Sequence, residues 1–149
     1  MRHLFAFLLV VVAAGLVAAP AGAATTTERV PVDFIGQGCG EEVHLTGTIL
    51  STFTFTPNGS GGFLVAFHAN PQGVTGVGLT SGATYHGTGV TRETTTVNGA
   101  STDTFVNSFK LIGTGRTPNF LETDIFHVTI DANGNVTSIV ASSTIKCQP

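Results

Sequence analysis

Glu42-Val43-His44-Leu45-Thr46-Gly47-Thr48-Ile49-Leu50-Ser51-Thr52-Phe53-Thr54-Phe55-Thr56 decides the fold. Val43, Leu45, Ile49, Phe53 and Phe55 recur at even spacing, and His44, Thr46, Thr48, Thr52 and Thr54 fill the gaps. A period of two puts the first set on one face of a strand and the second on the other. Threonine is β-branched and tolerates water, so it suits the outer face of a sheet.

The same pattern continues downstream. Pro57 to Gly62 is a turn, and Phe63, Val65 and Phe67 resume the alternation as far as Asn70-Pro71. Val74 to Thr80 is a Gly-rich extended stretch. Ala83 to Val97 and Ser101 to Gly113 read as long strands joined at Asn98-Gly99, a strong hairpin signal. Phe120 to Ile130 and Val136 to Ile145 form a last hairpin around Asp131 to Asn135. Nowhere do apolar residues recur at three and four in the manner of a helix.

Consecutive hairpins with one Phe-rich face predict an all-β domain: a single antiparallel meander closed into a small β-barrel of six to eight strands, with a β-sandwich as the alternative. Pro is tolerated at bends, so Pro71 reads as a kink within one strand and six core strands are preferred. An outer-membrane barrel is disfavoured by one Tyr, no Trp and hence no aromatic belt.

Upstream of the deciding stretch, Ala24 to Arg29 reads as a mobile polar tail and Val30 to Ile35 as a strap or edge strand. The division is therefore 1–23 signal peptide, 24–41 tail and strap, and 42–149 barrel domain. Residues 1–23 have the build of a secretory signal: Arg2, an apolar run from Leu4 to Ala19, then Pro20-Ala21-Gly22-Ala23 with small residues before the cut. The run is shorter than the roughly 20 residues a spanning helix needs. Cleavage would leave no membrane span, 126 of the 149 residues, and five basic against nine acidic side chains, a net charge of −4. Such a surface does not draw nucleic acid or anionic lipid. The implied location is secreted or extracytoplasmic, where the two cysteines, Cys39 and Cys147, are expected to form a disulfide. That bond would bring the start of the first strong strand to the end of the last.

No motif marks an enzyme, and no residue is assigned a catalytic role. Gly36-Gln37-Gly38-Cys39-Gly40 precedes no helix and so is no phosphate loop, and Ser60 lacks the nucleophile-elbow setting. His44, His68, His86 and His127 are scattered, so no metal and no cofactor is expected. A two-residue turn at Asn98-Gly99 pairs Val97 with Ala100 and Arg92 with Phe105. It thereby gathers His86, Arg92, Asp103 and Asn107 on one face with two phenylalanines, the composition of a small-ligand site. The competing reading of that patch is a wet rim pair between Arg92 and Asp103. Glu122 and Asp124, two apart on a strand, are a further acid–base candidate.

Phe67-His68-Ala69-Asn70-Pro71-Gln72-Gly73-Val74 and Tyr85-His86-Gly87-Thr88-Gly89-Val90-Thr91-Arg92-Glu93-Thr94 resemble segments of small secreted bacterial proteins of unknown function, a resemblance that implies no activity. The meander-barrel plan is similar in architecture to lipocalin-like and allene-oxide-cyclase-like barrels. The expected function is non-catalytic binding of a small, largely apolar molecule. A cyclase- or isomerase-type enzyme using Glu122, Asp124 or His86, and a structural envelope-associated protein, are the alternatives.

Overall fold

The computed structural model describes residues 22–149, so the signal peptide expected at 1–23 lies almost wholly outside the described residues. The described chain is seven strands: β1 (Ala24–Gln37), β2 (Glu42–Pro57), β3 (Phe63–Gly78), β4 (Thr84–Asn98), β5 (Ala100–Gly113), β6 (Asn119–Ile130) and β7 (Val136–Gln148). They form one antiparallel sheet in chain order, with no helix among the described residues. The all-β meander is therefore as expected. A two-sheet sandwich is not.

The N-terminal stretch differs from expectation. Ala24 to Arg29 is no tail but the first half of β1, paired to β2 along its whole length. Its threonines supply the reason: Thr25 and Thr27 are β-branched and stand opposite Thr54 and Thr52, with hydroxyls 3.2 and 3.5 Å apart.

The sheet is rolled at one end. Cys39, in the β1–β2 turn, is bonded to Cys147 in β7 with Cα atoms 5.7 Å apart. Laid flat, five strand spacings would separate them by roughly 24 Å. Within that roll Val32, Val43, Leu45, Val74, Tyr85, Leu111 and Phe120 form the buried core. Glu41 ties the same rim together. Its carboxylate accepts the Thr80 and Ser81 N–H groups at 3.1 and 2.9 Å, the Ser81 hydroxyl at 2.6 Å and the Tyr85 hydroxyl at 3.3 Å. These bonds, the Ser81 hydroxyl first, hold the Glu41 carboxyl below its ordinary value.

The roll does not close into a hydrogen-bonded barrel. β1 and β7 are the two edges of the sheet. Strand parity does bring the start of β2 and the end of β7 to one rim. However, β1 already occupies the free edge of β2, so β7 has no β2 edge to pair with. Every residue of β7 is exposed.

Pro71 lies inside β3, as the six-core-strand reading requires. It falls where β3 has no β4 partner, because pairing lapses between Ala69↔Thr91 and Thr75↔His86. The β2–β3 register also shifts there, from Thr46↔Thr75 to Thr48↔Gln72, around Gly73 at φ +63°. Such a bulge flips which residues face the core. Val74 and Gly76 face inward on one side of it, Ala69 and Phe67 on the other.

The strongest turn signal reads one residue differently from expectation. Asn98 stands opposite Ala100 and Val97 opposite Ser101, with Gly99 alone at the apex at φ +74°. Burial selects this register. Tyr85 and Leu111 are both fully buried, and they can share a face only if paired positions sum to an even number, as Asn98 and Ala100 do. Replacing Gly99 by Val should destabilise the domain by about 1 kcal/mol or more, since a β-branched residue resists positive φ. A urea midpoint shift checks this.

Candidate functional site on the concave face

Register assigns every side chain to a face. Counting alternately from the core residues Leu111 and Phe120, the concave face receives Asp103, Phe105, Asn107 and Phe109 from β5, and Glu122, Asp124, Phe126 and Val128 from β6. From β4 it receives Thr91, Glu93 and Thr95, and from β3 Phe63, Val65, Phe67 and Ala69. β2 adds Ser51, Phe53 and Phe55.

The four expected ligand residues are thereby split. Asp103 and Asn107 are concave. His86 and Arg92 are convex and exposed, opposite Ile112 and Val106. The one-residue difference at Asn98-Gly99 causes the split, because a slip of one sends every side chain to the other side. Arg92 therefore makes no pair with Asp103 across the sheet, and its neighbour on β3 is His68. Arg92→Ala should cost about 1 kcal/mol or less in a denaturation curve, as exposed charges do.

The histidines stay apart from one another. His68 faces Thr52 and His127 faces Val140. His44 bonds Asp33 at 2.7 Å and His127 bonds the Thr104 hydroxyl at 2.8 Å. Among the described residues no three His, Cys, Asp or Glu side chains are placed to hold a metal ion.

What gathers on the concave face is a set of ranks running across the strands. One rank reads Phe53, Phe67, Glu93, Phe105, Phe126, so a single carboxylate is set into a row of rings. The Phe53 and Phe67 rings lie 4.7 Å apart. The rank below is a hydrogen-bonded chain: the Thr91 hydroxyl donates to Asn107 Oδ1 at 2.9 Å, and Asn107 Nδ2 donates to Asp124 at 3.1 Å. In the rank above, the Thr95 hydroxyl donates to Asp103 at 2.8 Å. Glu122 lies beyond Asp124, opposite Phe109.

The electrostatics of this face are one-sided. Glu93, Asp103, Glu122 and Asp124 are all half-buried there. Arg29, Arg92, Lys110 and Lys146 alternate onto the convex face, and Arg116 sits in the β5–β6 loop. No described Lys or Arg faces the carboxylates. Burial, and then the Asp103 charge, pushes the Glu93 carboxyl up. Burial, and then the Asp124 charge, does the same to Glu122.

A raised folded-state value means that ionising Glu93 and Glu122 opposes folding. That penalty is relieved as pH falls through their folded values towards the ordinary 4.5. Glu41 and Asp131 are lowered instead, Asp131 chiefly by the Asn135 backbone N–H, so their contribution is lost on further acidification. Stability should therefore rise as neutral solution is acidified towards 4.5 and fall on further acidification. Glu122→Gln should raise the urea midpoint at neutral pH and flatten the upper limb.

Two features were beyond the sequence reading. Glu93 adjoins Arg92, so the two-residue turn that puts Arg92 on the site sends Glu93 to the other face, and the observed register reverses this. An open hollow of about 280 Å³ lies on the convex side among Leu121, Thr123, Thr144, Lys146 and Gln148, whereas the hollow inside the roll is only about 70 Å³, lined by Val32, Phe34, Leu45, Ile49, Pro71 and Phe109 among others. That holds a few waters and falls well short of the roughly 300 Å³ of a small-molecule pocket. The usable surface is the open part of the concave face. Comparison with protein-family models, curated proteins and solved structures finds no match.

Proposed function

We propose that this is an exported, non-catalytic binding protein that takes a small, largely apolar molecule bearing a basic group onto its concave face. The observation that carries this reading is the rank Phe53, Phe67, Glu93, Phe105, Phe126: aromatic area on both sides of a carboxylate, on a face with no described cation. The exposed ring of Phe53 and the half-buried rings of Phe67, Phe105 and Phe126 supply apolar contact. Carboxylates whose charge is penalised gain most from a cationic partner, which restores the ionised form. The disulfide and the secretory build of residues 1–23 support export.

Thermal denaturation with three matched compounds tests the reading: an aryl-alkyl amine, its isosteric carboxylic acid and its neutral alcohol. The amine should raise the melting temperature in a concentration-dependent way, by about 2.7 kcal/mol of stabilisation at a hundredfold excess over Kd. The acid should not, and Glu93→Gln should erase the difference. Equal effects from all three, or none, would refute the proposal.

A second reading has its own observation. Glu122 is held protonated more readily than usual beside Asp124, the arrangement of a general acid next to a base. It would make the concave face a cyclase- or isomerase-type site, with His86 excluded from it by its convex position.

A further inference from the structure

We propose that β7 is a self-association edge, and that two copies of the chain pair β7 to β7 antiparallel about a two-fold axis at Ser142. The two edges of the sheet differ in kind. β1 carries Glu28, Arg29, Pro31 and Asp33 along its middle, the charges and proline that keep an edge from pairing. β7 has none of these from Ser138 to Ile145, a run of uncharged residues of which half, Ile139, Val140, Thr144 and Ile145, are β-branched. Its register with β6 is regular from Ser138 to Gln148, so no bulge twists that stretch away. Ile139 and Ile145 are 64% and 58% exposed, and no described strand covers them.

The sequence of this edge is complementary to itself. An axis at Ser142 sets Ile139 opposite Ile145 of the second copy and Val140 opposite Thr144. It also sets Lys146, the only charge on β7, opposite Ser138 and away from its own copy. Aliphatic and β-branched cross-strand pairs of this type stabilise a sheet. The alternative partner edge, β1 of a neighbour, would place charged residues and a proline against this run. It would also give a head-to-tail contact rather than the closed two-fold arrangement most homo-oligomers adopt. Because β1 and β7 run parallel in a seven-strand meander, closure within one chain is not an antiparallel pairing either. The inference is independent of any ligand.

Sedimentation equilibrium of the oxidised protein tests it, alongside Ser142→Lys and Ser142→Asp. Ser142 is exposed on the convex face, so both substitutions should leave the fold and the Cys39–Cys147 bond intact, as circular dichroism and a thiol titration would show. The parent should be dimeric. Each variant alone should have a dimer dissociation constant raised roughly tenfold or more, since like charges meet at the axis. An equimolar mixture of the two variants should regain the dimer. In the parent, hydrogen exchange of the β7 amides should slow as concentration rises through the transition, a readout that needs no variant. A parent that stays monomeric, a dimer that both variants leave unchanged, or exchange protection confined to β1, would each overturn the proposal.

Discussion

Replacing both Cys39 and Cys147 by Ala is expected to cost up to about 4.7 kcal/mol, the loop-closure figure for a bridge spanning about a hundred residues. The bridge links residues 108 apart. It also holds together a roll that no hydrogen-bonded ladder closes, because β1 and β7 are free edges. Cys39 packs against the core cluster, so the loss reaches Val43, Leu45 and Phe120 as well. Compactness of the unfolded chain reduces the effect, so a fall of about 2–5 kcal/mol is the expected range. For a domain of this size that is a drop in melting temperature on the order of 10–20 °C. Thermal and urea denaturation of the double variant beside the oxidised parent would measure it. A loss below about 1 kcal/mol would mean the rolled rim stands without the bridge.

Leu111→Ala should cost about 3–5 kcal/mol, while Ile112→Ala, its neighbour in sequence, should cost about 1 kcal/mol or less. Leu111 is fully buried, in the rank that runs from Gly87 to Phe120. Its removal leaves a hole in the part of the molecule that has a packed core. Ile112 is 38% exposed and opposite His86 on the convex face. The contrast tests register directly. Had β4 and β5 paired around a two-residue turn, Tyr85 and Leu111 would lie on opposite faces. Similar losses from the two variants, or a larger loss from Ile112→Ala, would contradict the face assignments throughout β4 to β6.

Much of the architecture was legible because it rests on local patterns. Alternation in Glu42–Thr56 and the turn residues Asp131 to Asn135 after Phe120–Ile130 gave strands close to their observed limits, and Pro71 as a kink in one strand agreed with β3. The cysteine pair was legible from its even count and the secretory build of residues 1–23. What failed was whatever depends on a choice of one residue. The Asn98-Gly99 dipeptide has two compatible hairpins, and the wish to bury Tyr85 and Leu111 together, rather than the turn itself, selects between them. That choice moved His86 and Arg92 off the site and brought Glu93 onto it. Closure failed for a different reason. The Thr-rich segment Ala24–Arg29 looked like a tail, yet it pairs with β2 and takes the edge that β7 would need. Glu122 and Asp124, two apart in sequence, do share one face of β6. Their face was undecidable because β6 is apolar on both sides, and it followed only once Phe120 was seen to be buried.

The claim at the centre of this account is that the concave face, with Glu93 among the rings of Phe53, Phe67, Phe105 and Phe126, is where a small basic apolar molecule binds. Titrating isotope-labelled protein with an aryl-alkyl amine and following amide and aromatic resonances tests it most directly. Saturable shifts should concentrate at Glu93, Phe105, Asn107 and Phe126, and leave the convex neighbours Arg92, Val106 and His127 largely unmoved. Shifts centred on those convex residues, or none at millimolar amine, would contradict it.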